Sequence, residues 1–94
     1  DSETIKSMWN NIGLKDFDII IDDGLHEVDA NLNFFFNSFN KLKKNGIYVI
    51  EDVKLFDLNT FSNKLKDFNP EIIVLDTKGI NDYINNNLVI IRKN

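Results

Sequence analysis

Two short acidic segments carry the side chains with the clearest chemical potential. The first is Asp22–His26 (DDGLH), and the second is the pair Glu51 and Asp52. Each follows a run of β-branched residues that predicts a strand. In open α/β sheets, ligands bind beyond the carboxyl ends of parallel strands. Because neighbouring strands lie about 4.8 Å apart, pairing of these two strands would bring Asp23 close to Glu51 and Asp52.

Carboxylates this close repel one another by a few kcal/mol at an intermediate effective dielectric, and neither segment contains a lysine or an arginine. A hard divalent cation with oxygen ligands, above all Mg²⁺, would offset that repulsion. The single histidine, His26, follows Asp23 by three residues, and its ordinary pKa of about 6.5 suits it to accept a proton. A metal-bound hydroxyl next to such a base would become an alkoxide nucleophile.

Simpler interpretations of the same residues stay open. An Asp-Gly pair after a strand is more often a turn than a ligand, Asp52 could cap the helix that follows it, and His26 could be an ordinary surface residue. Successive residues of a strand also point to opposite faces. Glu51 and Asp52 could therefore bind one ion only if the strand has already ended.

Hydrophobic spacing predicts alternating helices and strands around these segments. The predicted elements are a helix over 3–12 with Ser2 as its N-cap and Gly13 as its stop, a strand from 17 that enters a loop at 22–24, a helix over 27–44 stopped by Asn45 and Gly46, a strand over 47–50, a helix over 56–68, a strand over 72–75, a polar loop over 77–87 and a strand over 88–91. This order predicts an α/β fold, a Rossmann-like three-layer sandwich whose sheet is mainly parallel. The two closing strands lack a helix between them, which favours an antiparallel C-terminal strand.

The apolar run Ile19–Ile21 predicts a strand that is buried on both faces. At a sheet edge this run would be an aggregation hazard. We therefore expect a neighbouring strand on each side, with the missing one before Asp1 or on another chain. A pair of helices that covers a lone sheet is the competing explanation. The chain starts with Asp1 rather than methionine, which favours a cut or processed chain.

Composition excludes several classes of protein. The net charge of −4 with a single arginine argues against a nucleic-acid surface. The chain has no cysteine, which excludes disulfides and thiolate chemistry. It also has no apolar stretch of the roughly 20 residues that span a bilayer and no secretory signal pattern. These absences predict a cytoplasmic protein without a membrane partner.

Three stretches together resemble the C-terminal half of class I S-adenosylmethionine-dependent methyltransferases, and more closely the metal-dependent macrolide and sugar O-methyltransferases of the mycinamicin type and their bacterial relatives. The matching stretches are 17–26, 42–52 and 88–93. The resemblance implies Asp23, Glu51 and Asp52 as ligands of Mg²⁺ or Mn²⁺ and His26 as the general base. It also implies contacts of the S-adenosylmethionine cofactor with Asp22, Asp1 and Ser2, and a sugar hydroxyl as the methyl acceptor.

The chain departs from that family in three ways. Leu25 stands where the family usually has serine, and Asn45 stands where it usually has glycine. The glycine-rich cofactor loop of the family is absent as well. Residues 1–94 are therefore expected to be one α/β domain, the C-terminal part of a methyltransferase domain without its cofactor-loop half, and inactive by itself.

Two other functions stay open at this stage. The chain could be a noncatalytic α/β module that completes its sheet by dimerisation, which would make it a homo-oligomer. Acidic strand ends also suit receiver-type domains with an aspartate as phosphoryl acceptor. The receiver-type hypothesis needs a lysine at the end of a late strand, and Lys78 is only a weak candidate.

Overall fold

The computed structural model describes residues 1–23, 27–74 and 87–94 of the chain. Within these residues, three helices and four strands alternate in the order that the sequence predicts, with short 3₁₀ turns between some of them. The elements are α1 (Ser2–Ile12), β1 (Phe17–Asp22), α2 (Val28–Ser38), β2 (Leu42–Val53), α3 (Leu58–Lys64), β3 (Glu71–Ile73) and β4 (Asn87–Arg92). The predicted α/β class is thus confirmed.

The four strands form one mixed sheet in the order β1-β2-β4-β3. β1 and β2 are parallel, whereas β4 is antiparallel to both of its neighbours, β2 and β3. The predicted antiparallel C-terminal strand is confirmed. By pairing, however, the sheet is mostly antiparallel rather than mainly parallel, because the C-terminal strand inserts between β2 and β3.

Side chains on one face of the sheet form the core together with the helices. We call this the covered face, and its residues are Ile20, Asp22, Tyr48, Ile50, Val89 and Ile91, all less than 9% exposed. Phe35 of α2 packs edge-on against Tyr48, with ring centroids 4.9 Å apart, and edge-on against Phe68 at 5.1 Å. Trp9 of α1 donates a buried hydrogen bond of 2.8 Å to the hydroxyl of Ser38.

The opposite face of the sheet is the open face. Strand alternation and the pairing register place seven apolar residues on it: Ile19, Ile21, Ile47, Val49, Ile73, Leu88 and Ile90. None of them belongs to the core cluster, and Ile19 and Ile21 are each 55% exposed. The prediction that β1 is buried on both faces is therefore wrong for the described residues, whose helices and sheet form two layers. β1 is also an edge strand among them.

The first helix begins one residue earlier than predicted, because Asp1 and not Ser2 is its N-cap. The Asp1 carboxylate accepts a 2.8 Å hydrogen bond from the backbone N–H of Thr4. Ser2 lies inside the helix, where its hydroxyl donates to the side-chain oxygen of Asn33 at 2.7 Å. Gly13 ends the helix as predicted, with a positive φ of 70° that glycine adopts readily.

The second helix ends six residues before the predicted position, since Asn45 and Gly46 belong to β2. Their backbone groups pair with the chain beyond β4: the N–H of Asn45 donates to the carbonyl of Lys93 at 2.6 Å, and the N–H of Lys93 donates to the carbonyl of Gly46 at 2.9 Å. A Cβ at Gly46 would lie 2.9 Å from the carbonyl oxygen of Lys43, too close without a shift of the backbone, and 3.1 Å from that of Asp18. The helix-stop interpretation was wrong because strand pairing overrides the local turn propensity of Asn-Gly.

The helix and the strand that follow β2 are shorter than predicted. The third helix is a seven-residue α3 between two 3₁₀ turns, Leu55–Asp57 and Lys66–Phe68. The predicted loop over 77–87 lies outside the described residues except for Asn87, which is the first residue of β4.

Candidate metal centre

Three carboxylates meet at one rim of the sheet, as the sequence predicts. Asp23 follows β1, while Glu51 and Asp52 lie near the end of β2, and one carboxylate oxygen from each residue lies within 4.8 Å of the others. Asp23 is exposed, and the other two are half-buried. The group is thus open to solvent on one side.

The parallel register of β1 and β2 explains how two distant segments meet. Asp22 pairs with Ile50. The residues that follow them in the two segments, Asp23 and Glu51, therefore lie at the same level of the sheet. Carboxyl ends of parallel neighbours share one edge of a sheet. This single parallel pairing is sufficient to bring the two acidic segments together.

Asp52 joins Glu51 through a bulge and not through the end of the strand. β2 continues to Val53, but its pairing with β4 shifts between Ile50 and Val53. Asp52 has a φ of 54°, in the left-handed region that few non-glycine residues adopt. The expectation that the strand must already have ended is therefore wrong, because an irregular strand can also break the alternation of side chains.

The alternative interpretation of Asp52 as a helix cap is also wrong. The 3₁₀ turn after β2 has Lys54 at its N-cap position, and α3 has Asp57 at the corresponding position. Asp52 instead lines a small cavity of about 10 Å³ together with Asn31 of α2. Its side chain thus belongs to the rim of the sheet.

The donor set fits a hard divalent cation. Carboxylate oxygens are the ligands that Mg²⁺ and Ca²⁺ take in proteins, and all three donors here are carboxylates. Mg²⁺ usually binds through one or two carboxylates and keeps several water molecules, for which the exposed side of the cluster leaves room. Exposed acidic groups also cluster without an ion, so the cluster makes metal binding chemically feasible without requiring it.

A cavity of about 410 Å³ adjoins Asp23, one of the three carboxylates. Asp23 lines it together with two of the three predicted cofactor residues, Asp1 and Asp22, and with the apolar side chains of Ile5 and Phe34. The third predicted residue, Ser2, lies in α1 and hydrogen-bonds to α2. The structure therefore brings Asp1 and Asp22 to the same cavity as one predicted metal ligand, and gives Ser2 a contact between helices.

Three residues of the sequence hypotheses lie outside the described residues. They are His26, the predicted base, Leu25, which replaces the usual serine of the family, and Lys78, which the receiver-type hypothesis requires. Their roles stay predictions from the sequence.

Two buried asparagines at this rim were not predicted from the sequence. Asn31 is 4% exposed and lines both the larger cavity and the small one beside Asp52. Asn87 is fully buried, and its side-chain amide donates to the backbone carbonyl of Val53 at 3.0 Å. Asparagine fills 15 of 94 positions, so these two do not stand out in the sequence. Only their burial distinguishes them.

The covered face carries one unusual polar group close to this rim. The Tyr48 side chain is fully buried, and within the described part of the chain its hydroxyl has no hydrogen-bond partner. Burial raises the pKa of the Tyr48 hydroxyl, and the charge of Asp22 raises it further. Tyr48 therefore stays protonated well above the ordinary pKa of tyrosine.

Comparison of the chain with protein-family models, with curated proteins and with solved structures gives no match. Among the described residues, no helix is both long enough and apolar enough to cross a membrane.

Proposed function

We propose that this chain is part of an S-adenosylmethionine-dependent O-methyltransferase that methylates a hydroxyl of a sugar or of a sugar-containing small molecule. One observation carries the proposal: three carboxylates from two distant segments, named as metal ligands by the resemblance, lie within 4.8 Å of one another. Nothing in the sequence spacing alone requires Glu51 and Asp52 to point the same way. Their convergence with Asp23 therefore adds support beyond the sequence pattern.

In this proposal each group at the rim has a defined task. Asp23, Glu51 and Asp52 hold a divalent cation, and Asp1 and Asp22 contact the cofactor in the adjoining cavity. His26, three residues after Asp23, removes the proton of the acceptor hydroxyl. When bound, the cation supplies electrostatic stabilisation of the developing alkoxide and S-adenosylmethionine supplies the methyl group. The protein residues hold the acceptor hydroxyl in a fixed orientation and take up its proton. This positioning lowers the barrier to methyl transfer.

The proposal extends to the finer fold. A Rossmann-like three-layer sandwich needs helices on both faces of its sheet, and the open face with Ile19 and Ile21 offers an apolar surface for a second helical layer. Among the described residues β1 is an edge strand, and that edge would accept a further parallel strand. Both features are consistent with a sheet that continues in a larger catalytic domain.

A binding experiment on the chain itself tests the metal centre. Mn²⁺, which reports its own binding by electron paramagnetic resonance, is titrated into the wild type and into Glu51→Gln. Loss of one charged ligand is expected to weaken binding at least about tenfold, since even outer contacts of metal sites are worth that much. Glu71→Gln is the matched control, because Glu71 is an exposed glutamate of β3, which β4 separates from β2 in the sheet.

Two results would contradict the proposal. A wild type that binds no Mn²⁺ at millimolar concentration removes the metal centre, and equal affinities of the Glu51→Gln and Glu71→Gln variants place the ion elsewhere. Titration with S-adenosylhomocysteine to saturation tests the cofactor cavity separately. The NMR signals of the Asp22 and Asp23 amides are expected to shift when the ligand binds. Absence of such shifts at high ligand concentration argues against a cofactor contact in this part of the domain.

The second candidate is a noncatalytic module that completes its sheet by dimerisation, and the exposed edge of β1 favours it. Charge opposes the simplest form of this dimer. Antiparallel pairing of two β1 strands about Ile20 sets Asp18 of one copy opposite Asp22 of the other, and like charges at such positions are destabilising. Sedimentation of the chain at several concentrations distinguishes the two candidates, because only the second requires a tight dimer.

A further inference from the structure

The bulge in β2 is the local feature that brings the two acidic residues together. Along the β2–β4 ladder, Ile50 pairs with Val89 and Val53 pairs with Asn87. β2 therefore uses one residue more than β4 over this stretch, which defines a bulge. A regular strand would direct Glu51 and Asp52 to opposite faces. With the extra residue and the left-handed backbone of Asp52, both carboxylates lie beside Asp23.

A bulge interrupts the regular pairing of β2 with β4, and the left-handed backbone of Asp52, which aspartate adopts more easily than most residues with a side chain, does not by itself hold the two strands together. Support comes from the opposite strand. The side-chain amide of Asn87 donates a 3.0 Å hydrogen bond to the backbone carbonyl of Val53, the residue directly after Asp52. Asn87 is fully buried, so water does not compete for that carbonyl from the side of the amide.

We infer that Asn87 is a positioning residue, which fixes the bulge through the Val53 carbonyl and thereby holds Glu51 and Asp52 beside Asp23. The consequence for metal binding rests on the proposed function, whereas the effect on the backbone of Asp52 does not. The side-chain hydrogen bond of Asn87 links β4 to β2 at the residue where regular pairing resumes after the bulge. Without its amide donor, β2 can relax to regular alternation, which turns one of the two carboxylates away from the rim.

The test replaces Asn87 by leucine, which has nearly the same size and no donor. Two quantities are measured on the chain: the Cα and Cβ chemical shifts of Asp52, which report a left-handed or an extended backbone, and the affinity for Mn²⁺. We expect the Asp52 shifts of Asn87→Leu to move towards extended values and the affinity to fall at least about tenfold. Asn87→Asp keeps the shape but offers an acceptor instead of the donor, so it should change both quantities in the same direction, and it serves where the leucine variant fails to fold.

Ser38→Ala is the control for a general loss of stability. It removes another buried hydrogen bond, the one that Trp9 donates to Ser38 of α2, and should leave the Asp52 shifts and the Mn²⁺ affinity unchanged. Unchanged Asp52 shifts in a folded Asn87 variant overturn the inference. A wild type that binds no Mn²⁺ counts against the proposed metal centre, while the shifts of Asp52 still decide the role of Asn87.

Discussion

The two faces of the sheet carry similar residues and have opposite surroundings. On the covered face, Ile20 is 8% exposed and Ile50 is fully buried, whereas on the open face Ile19 and Ile21 are each 55% exposed. Three consecutive isoleucines of one strand thus alternate between core and solvent. Burial in this protein is decided by where the helices pack and not by residue type.

The difference shows that apolar composition alone does not measure the stability of the fold. Only area removed from water contributes, at roughly 25 cal/mol per Å². The open face therefore adds little to the folding free energy of the described chain while keeping an apolar surface. Contiguous apolar surfaces of this kind mark interaction sites more often than chance, which suits a sheet that packs against further structure.

The largest expected change in the free energy of unfolding distinguishes two adjacent residues of β1. Ile20→Ala removes a buried side chain and should lower the free energy of unfolding by about 2–4 kcal/mol. Ile21→Ala, its matched control on the open face, should cost less than about 1 kcal/mol. Urea unfolding at constant m-value measures both. Equal losses would mean that the open face is buried in solution, and a concentration-dependent midpoint would then identify self-association.

Tyr48→Phe sharpens the comparison from within the covered face. The variant removes a buried hydroxyl that has no partner among the described residues, so it should raise the free energy of unfolding by about 1 kcal/mol. An unfolded tyrosine loses its proton near pH 10, while the raised pKa of Tyr48 keeps the folded form protonated. The stability of the wild type therefore falls as pH rises above about 10.

That alkaline loss should be smaller in Tyr48→Phe, which urea unfolding at pH 8 and at pH 11 detects. Parallel pH profiles of the two proteins would show that the Tyr48 hydroxyl ionises normally in the folded state. A drop in stability at pH 8 would show instead that the hydroxyl has a partner.

The smallest expected effect concerns the solvent-facing contact between Lys43 and Asp18. The two side chains form an ion pair, and its hydrogen bond and charge raise the pKa of Lys43. Exposed pairs contribute little because water and salt screen them. Lys43→Gln should leave the thermal midpoint unchanged within error. A clear drop in the thermal midpoint would indicate that charge pairing between β1 and β2 contributes to stability, as packing does on the covered face.

The order of elements follows from the sequence, while their ends depend on tertiary contacts. Hydrophobic spacing predicts α1, β1 and β4 within one or two residues. The end of α2 was missed, because Asn45 and Gly46 pair with the chain beyond β4 instead of stopping a helix. No local pattern contains that information. The open face was missed for the same reason, since Ile19–Ile21 looks alike whether one face or both are covered.

The candidate site divides in a similar way. Residue types and strand ends predicted the meeting of Asp23 with Glu51 and Asp52. The bulge that makes it possible was not predictable, because it depends on Asn87, which pairs across the sheet from more than thirty residues away.

The strand order of the sheet has a consequence for how the chain is made. β3 precedes β4 in the sequence, yet within the described residues its only neighbour in the sheet is β4. During synthesis from the N-terminus, Glu71–Ile73 therefore emerges before the strand that it pairs with exists. One edge of β2 likewise stays unpaired until β4 has been synthesised. The described sheet can close only after Asn87–Arg92 has left the ribosome, so β4 is the strand whose arrival completes this sheet.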